Sequence, residues 1–283
     1  MDKIRTVFSI AFHNLRRWPV NPRFYLIFIM LVLYLYSKIN PINTFCIDTG
    51  YKISPYIFSF IMSEQNSVLL IMLGIVLLFC DAPFIEIDQP YIIMRSGRKL
   101  WVLGQMIYIV IASMLYVLVI MLLSILILLP NLEFNIEWGK VIGTFAQANV
   151  AYQHNITIPF EFSIYNAYTP LSATGIAFFN CWIVSVFLGM CMFVLNLNIS
   201  RSAGAIGTTL LVLWQMVVTK TWTGFTKFSP VTWVSLAKID TNGNTLYPTL
   251  EYIYIVILTM IVILFAISVF SMKKRDINVL KSV

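Results

Sequence analysis

Charge is what this sequence has least of: Asp, Glu, Lys and Arg make up 11% of its 283 residues, against 59% hydrophobic residues. A soluble domain needs about 25% charged residues to cover its surface, so an ordinary soluble fold is excluded and the chain is read as lying in lipid. Histidine is nearly missing, with His13 and His154 placed far apart in the chain. The four cysteines, Cys46, Cys80, Cys181 and Cys191, form no CxxC pair, and three of them fall in apolar runs where they act as small hydrophobes. Neither a disulfide framework nor a zinc site follows from them. The glycine-rich phosphate loop ending in Gly-Lys-Ser/Thr is absent too, since Arg95-Ser-Gly-Arg-Lys99 lacks its leading glycine. The chain is therefore read as a non-enzyme that does not hydrolyse ATP by itself, with no catalytic residue and no metal or cofactor of its own. Paired glutamates or histidines within the apolar runs, which intramembrane hydrolysis would need, do not occur.

What is present is a series of long apolar runs. A hydrocarbon core of about 30 Å takes roughly 20 helical residues, and six runs approach that length, at about 23–39, 66–81, 100–129, 171–196, 203–219 and 252–272. The second and fifth are short and the third is long. The apolar stretch 55–62 could prolong the second outward, which would bring Glu64 to membrane depth. Ahead of them, Ile4, Val7, Phe8, Ala11, Phe12, Leu15 and Trp18 recur at helical spacing, with Lys3, Arg5, His13, Arg16 and Arg17 mostly on other faces. This is the pattern of a helix lying in the membrane interface, closed by Pro19 and Pro22.

The fold class expected is thus an all-α integral membrane protein with six transmembrane helices and an N-terminal amphipathic interfacial helix. It forms a single domain over residues 1–283, with segment 1–20 as the interfacial helix. Basic residues fix its orientation, because Lys and Arg flanks are retained in the cytoplasm. They concentrate at Lys3 to Arg23, at Arg95 to Lys99, at Arg201 and at Lys273 to Lys281, while Asp48, Glu64, Glu133, Glu137, Glu161, Asp240 and Glu251 fall on the other side. Both termini are therefore placed in the cytoplasm of a cell-membrane, multi-pass protein. The net charge of +7 is accounted for by this topology. Nucleic acid is not expected as a partner, because no basic run is interleaved with stacking aromatics.

Three segments are expected outside. Residues 40–65 read as a loop around Asn40, Pro41, Asp48 and Gly50. Segment 131–170 carries a short helix between Glu137 and Tyr152, and segment 220–251 is too aromatic to float free, so it sits at or dips into the outer interface.

On the inside, segment 81–100 departs from plain positive-inside retention. Asp81, Glu86 and Asp88 stand with Pro83 and Pro90, and Ile92, Ile93 and Met94 separate those acids from Arg95, Arg98 and Lys99. A short helix with both signs and an apolar face suits docking on another protein. Within the spans, Asn180, Thr208, Trp214 and Gln215 are polar or amphipathic positions at depth. Interhelical hydrogen bonding is the plainer reading of them, and the lining of a substrate path the other. Ala203, Gly204, Gly207 and Thr208 form a small-residue surface that close helix packing explains.

The inner-loop pattern DAPF, an acidic stretch and then IxxRSGRKxWxLGQ resembles the permease subunits of ABC-2 type exporters, as found in Gram-positive bacteria. The amphipathic N-terminal helix, YTPLSA at 168–173 and FSPVTW at 228–233 add to that resemblance. It implies a membrane subunit that pairs with a second permease subunit and docks a separate cassette ATPase carrying ATP and Mg. In that arrangement Phe84, Glu86, Asp88, Ile92, Met94, Arg95, Arg98 and Lys99 form the ATPase-coupling element. Spans two and five would face the path of an amphipathic peptide, lipid-like or drug substrate. A membrane scaffold or sensor without transport is the alternative function, and an ATPase-independent channel or carrier a further one.

Overall fold

In the computed structural model of the chain, residues 2–84, 89–148, 150–241, 243 and 246–274 are described; among them the structure is helical and contains no strand. The helices are α1 (Asp2–Leu15), α2 (Pro22–Thr49), α3 (Phe58–Ile61), α4 (Gln65–Phe79), α5 (Gln89–Ser96), α6 (Arg98–Leu128), α7 (Gly139–Gln147), α8 (Val150–Gln153), α9 (Phe162–Ala167), α10 (Pro170–Asn198), α11 (Arg201–Lys220) and α12 (Leu250–Lys274). Five of them, α2, α6, α10, α11 and α12, are long and apolar enough to cross a membrane, which suggests a multi-pass membrane protein.

The expected second span is the exception. At 15 residues, α4 is about 22 Å long, short of a core of about 30 Å. The apolar residues before it do not prolong it: Phe58–Ile61 forms a separate turn of helix, and the chain breaks at Glu64, whose ψ is 123°. In contrast, α6 is 31 residues, about 46 Å. Its first turns pack against α1. Gly104 permits that approach, since a Cβ there would meet Ile10 at 2.7 Å.

The sequence places a loop from residue 40, but α2 runs through Pro41 to Thr49 and ends at Gly50 in the left-handed conformation, φ 71°. A proline inside a helix costs about 3 kcal/mol. The buried stripe of Leu31, Leu35, Ile39, Ile42, Phe45 and Cys46 continues across it, and burying each further apolar side chain contributes about 1.5–3 kcal/mol. The Asn43 amide also donates to the Ile127 carbonyl at 2.8 Å. Packing therefore outweighs the breaker. One consequence is that Lys38, which stands at the end of the 23–39 run in the sequence, lies well inside the helix.

The central helix is α10, with 78% of its most apolar window buried, against 17% for α12 at the edge. Helices α4, α6, α11 and α12 pack around it. The small residues of α11 serve close packing, as a Cβ at Gly204 would lie 2.2 Å from Asn196 Oδ1 and one at Gly207 2.8 Å from Leu195. At the end of the bundle away from α1, the expected helix of the 131–170 segment is present as α7 with α8 after it. The aromatic 220–251 segment divides in two. Pro230 to Val234 is buried, with the Trp233 indole donating to the Thr226 carbonyl at 2.9 Å. Trp222, Phe225 and Phe228 remain exposed in a row of tilted rings, with centroids 5.8 and 6.2 Å apart. The 50–57 and 131–133 segments meet in a single bridge, with Ile53 N–H donating to Asn131 at 3.0 Å and Glu133 N–H to Ile53 at 2.9 Å.

Candidate functional site at the basic end of the bundle

The basic residues of α1 and of the 81–100 segment, far apart in sequence, meet at one end of the bundle. Helix α1 has three faces. Val7, Ile10, Ala11 and Asn14 are buried. Asn14 donates to Gln105 Oε1 of α6, and beyond the helix the Trp18 indole donates to the Tyr108 hydroxyl at 3.0 Å. Ile4, Phe8 and Phe12, spaced four apart, are exposed, which leaves a hydrophobic strip suited to lipid. The third face, with Lys3, Thr6, Ser9 and His13, looks across to α5.

Between α1 and α5 lies a cleft of about 530 Å³, lined by Lys3, Arg5 and His13 from α1, Arg95 and Ser96 from α5, and apolar Ile10, Ile92 and Leu100 at its base. Among the described residues no carboxylate lines it. His13 Nε2 is buried and without a hydrogen-bond partner among the described residues.

The coupling element expected from the sequence is spread over several environments. Its start is anchored: Asp81 pairs with the Arg23 guanidinium of α2, the Ala82 carbonyl accepts from Asn196 of α10 at 2.7 Å, and Phe84 packs edge-on to Tyr108 of α6 at 4.9 Å. Glu86 and Asp88 lie outside the described residues. The three apolar residues that read as one patch are split by the helical turn: Ile93 is buried, Ile92 is half-buried, and Met94 is 65% exposed beside Tyr91 at 70%. Arg95 and Lys99 are exposed. Arg98 Nη1 donates to the Met272 carbonyl near the end of α12 at 3.4 Å. Gly97, at φ 81°, turns α5 directly into α6. Residues 81–84 are thus tied to α2, α6 and α10, and α5 leads straight into α6 with an outward face of Tyr91, Met94 and Arg95.

The four residues named for a substrate path go to packing contacts. The Asn180 amide donates to the Trp233 carbonyl at 3.1 Å, and Thr208 donates to the Gly204 carbonyl at 2.7 Å within α11. Gln215 faces Gln65 of α4, each amide reaching the other chain segment's backbone at 3.5 Å. Trp214 stands half-buried against Trp222. Neither cleft described here is lined by any of them, and α4 and α11, named as path-facing, pack against each other.

Two features were not singled out from the sequence. One is a buried polar network where the start of α4 meets the middle of α2: Lys38 pairs with Glu64 and donates to Thr157 Oγ1 at 3.0 Å, Ser67 donates to Glu64 at 2.6 Å, and Tyr34 meets Ser67 at 3.1 Å. Glu64 alone carried a signal, as a carboxylate beside an apolar run. The other is an open cleft of about 1230 Å³ at the end of the bundle away from α1, where Tyr51, Trp138, Tyr165 and Tyr168 stand among Lys52, Lys140, Glu133 and Glu137. Burial pushes the Tyr168 hydroxyl above its ordinary pKa. Among the described residues no group of three or more His, Cys, Asp or Glu side chains could hold a metal ion, and the four cysteines are free. Comparison with family models, with curated proteins and with solved structures finds no match for the chain.

Proposed function

We propose that a chain built this way works as the permease subunit of an ATP-driven ABC exporter of the ABC-2 type, with α5 and α1 forming the seat of a separate cassette ATPase. The observation that carries this reading is the anchored lever. Helix α5 presents Tyr91, Met94 and Arg95 outward and turns at Gly97 into α6, whose Arg98 reaches α12, while Asp81 and Ala82 earlier in the same segment are held by α2 and α10. A displacement applied to α5 therefore reaches most of the long helices at once, which is what coupling requires.

In this proposal α4 completes six spans, both termini are cytoplasmic, and a second permease subunit pairs with the first. ATP and Mg stay on the ATPase chain. Closure of the ATPases draws the α5 levers together and opens the path outward, moving an amphipathic substrate by alternating access. Arg95→Glu with Met94→Asp removes the outward face without touching the anchors. Co-expressed with its cassette ATPase, the wild-type chain retains the ATPase in mild detergent and the variant loses it. An ATPase that stays bound and fully coupled to the variant refutes the docking assignment.

The open cleft at the opposite end favours a second reading, a non-transporting scaffold or sensor that presents its outer segments to a ligand. Pull-down separates the two, because a sensor of that kind has no cassette ATPase to recover.

A further inference from the structure

We infer that the cleft between α1 and α5 is a binding site for the phosphate headgroup of an anionic membrane lipid. This goes beyond the exporter reading and does not depend on it. Lys3, Arg5 and Arg95 converge on the cleft with His13, and among the described residues no carboxylate lines it, so positive charge gathers there. Thr6, Ser9 and Ser96 add hydroxyls to the same walls. Guanidinium groups and hydroxyls together suit the fork geometry of phosphate oxygens. His13 Nε2, buried on that wall without a partner among the described residues, calls for an acceptor or donor that the described residues do not supply.

The apolar strip of the same helix makes the ligand a lipid. Ile4, Phe8 and Phe12 are exposed on α1 one face away from the cleft, so a headgroup held by Lys3 and Arg5 has its acyl chains beside them. A free anion or an acidic peptide would gain from the cations but not from that strip. The volume of about 530 Å³ admits a glycerophosphate headgroup with its water.

The test uses the full chain in mild detergent, with native mass spectrometry reading retained lipid. Phosphatidylglycerol, phosphatidylcholine and inorganic phosphate are added in separate arms. The expected result is retention of phosphatidylglycerol over phosphatidylcholine, and about a thirtyfold loss of affinity in Arg5→Gln/Arg95→Gln. Arg5→Lys/Arg95→Lys keeps most of the binding. Arg16→Gln/Lys99→Gln, the same charge change on exposed bases outside the cleft, leaves it unchanged. Circular dichroism and elution volume identify any variant that has failed to fold, and the lysine pair then carries the comparison. Equal loss in the control pair, undiminished binding in the glutamine pair, or inorganic phosphate competing at concentrations comparable to the lipid overturns the proposal. So does displacement of the lipid by an acidic peptide, which would assign the cleft to a protein partner.

Discussion

Helix α4 is joined to α2 by an ion pair at each of its own ends, and the two pairs live in opposite surroundings. Lys38 and Glu64 have side chains 16% and 10% exposed and share their charges with Ser67 and Thr157. Arg23 and Asp81 are 48% and 37% exposed. The chemistry is nearly the same, but solvent changes its weight. An exposed pair trades one hydrated state for another and is worth about 0–1 kcal/mol. In a buried pair each charge has lost its water, so removing one partner strands the other at a cost of about 3–5 kcal/mol. The far end of α4 is therefore locked, and the basic end, where a lever would have to move, is held lightly by charge.

The largest effect expected is on the locked end. Lys38→Ala or Glu64→Ala should lower stability in detergent by about 3–5 kcal/mol, while Lys38→Met/Glu64→Leu together recovers most of it. Thermal denaturation followed by circular dichroism measures both. Single variants as mild as those at Arg23 would erase the distinction between the ends.

Next in size is Asn196, whose amide does at the basic end what charge does not. Its Nδ2 donates to Ala82 and its Oδ1 accepts from Gly204 N–H at 2.7 Å. Asn196→Ala leaves two buried backbone groups unmet, at about 1–3 kcal/mol each. It should also loosen the 81–84 segment, which hydrogen exchange at Ala82 and Gly204 would report.

A pH series sharpens the contrast at the end of the bundle away from α1. Burial pushes the Lys238 ammonium down to about 8, with Glu161 pulling weakly the other way. The unfolded chain keeps that proton up to about 10.4. Between these values the unfolded state binds more protons, so stability rises with pH across that window and is flat below it. Against Lys238→Met, which lacks the titration, the wild-type thermal midpoint should climb from pH 8 to 10.

Arg23→Ala should do least, about 0–1 kcal/mol, and its effect should fade as salt rises from 0.02 to about 0.5 M. A salt-independent loss would mean that the pair is desolvated after all.

Much of the frame was legible from periodicity. The α1 helix follows from its apolar residues three and four apart, and the five long helices from their uninterrupted apolar runs. What composition could not supply was the outcome of competitions between local signals and packing. Pro41 reads as a stop until the buried stripe beyond it is known, so Lys38 looks like the last turn of a short run and its pairing with Glu64 does not show. Ile92, Ile93 and Met94 look alike in sequence, and a rotation of about 100° per residue sends them to three environments. The basic cleft depends on α1 meeting α5 across some 80 residues of chain, a contact no window along the sequence contains.

Asn196 also limits which sequences this fold can accept. One carboxamide gives a hydrogen to Ala82 and takes one from Gly204, and the glycine has no room for even a methyl group. Aspartate can only accept, leucine can do neither, and glutamine is one carbon too long for the gap. In a saturation-mutagenesis library selected for folded protein, 196 and 204 should therefore each admit a single residue. The exposed apolar positions on α12 a few turns away should exchange freely among themselves.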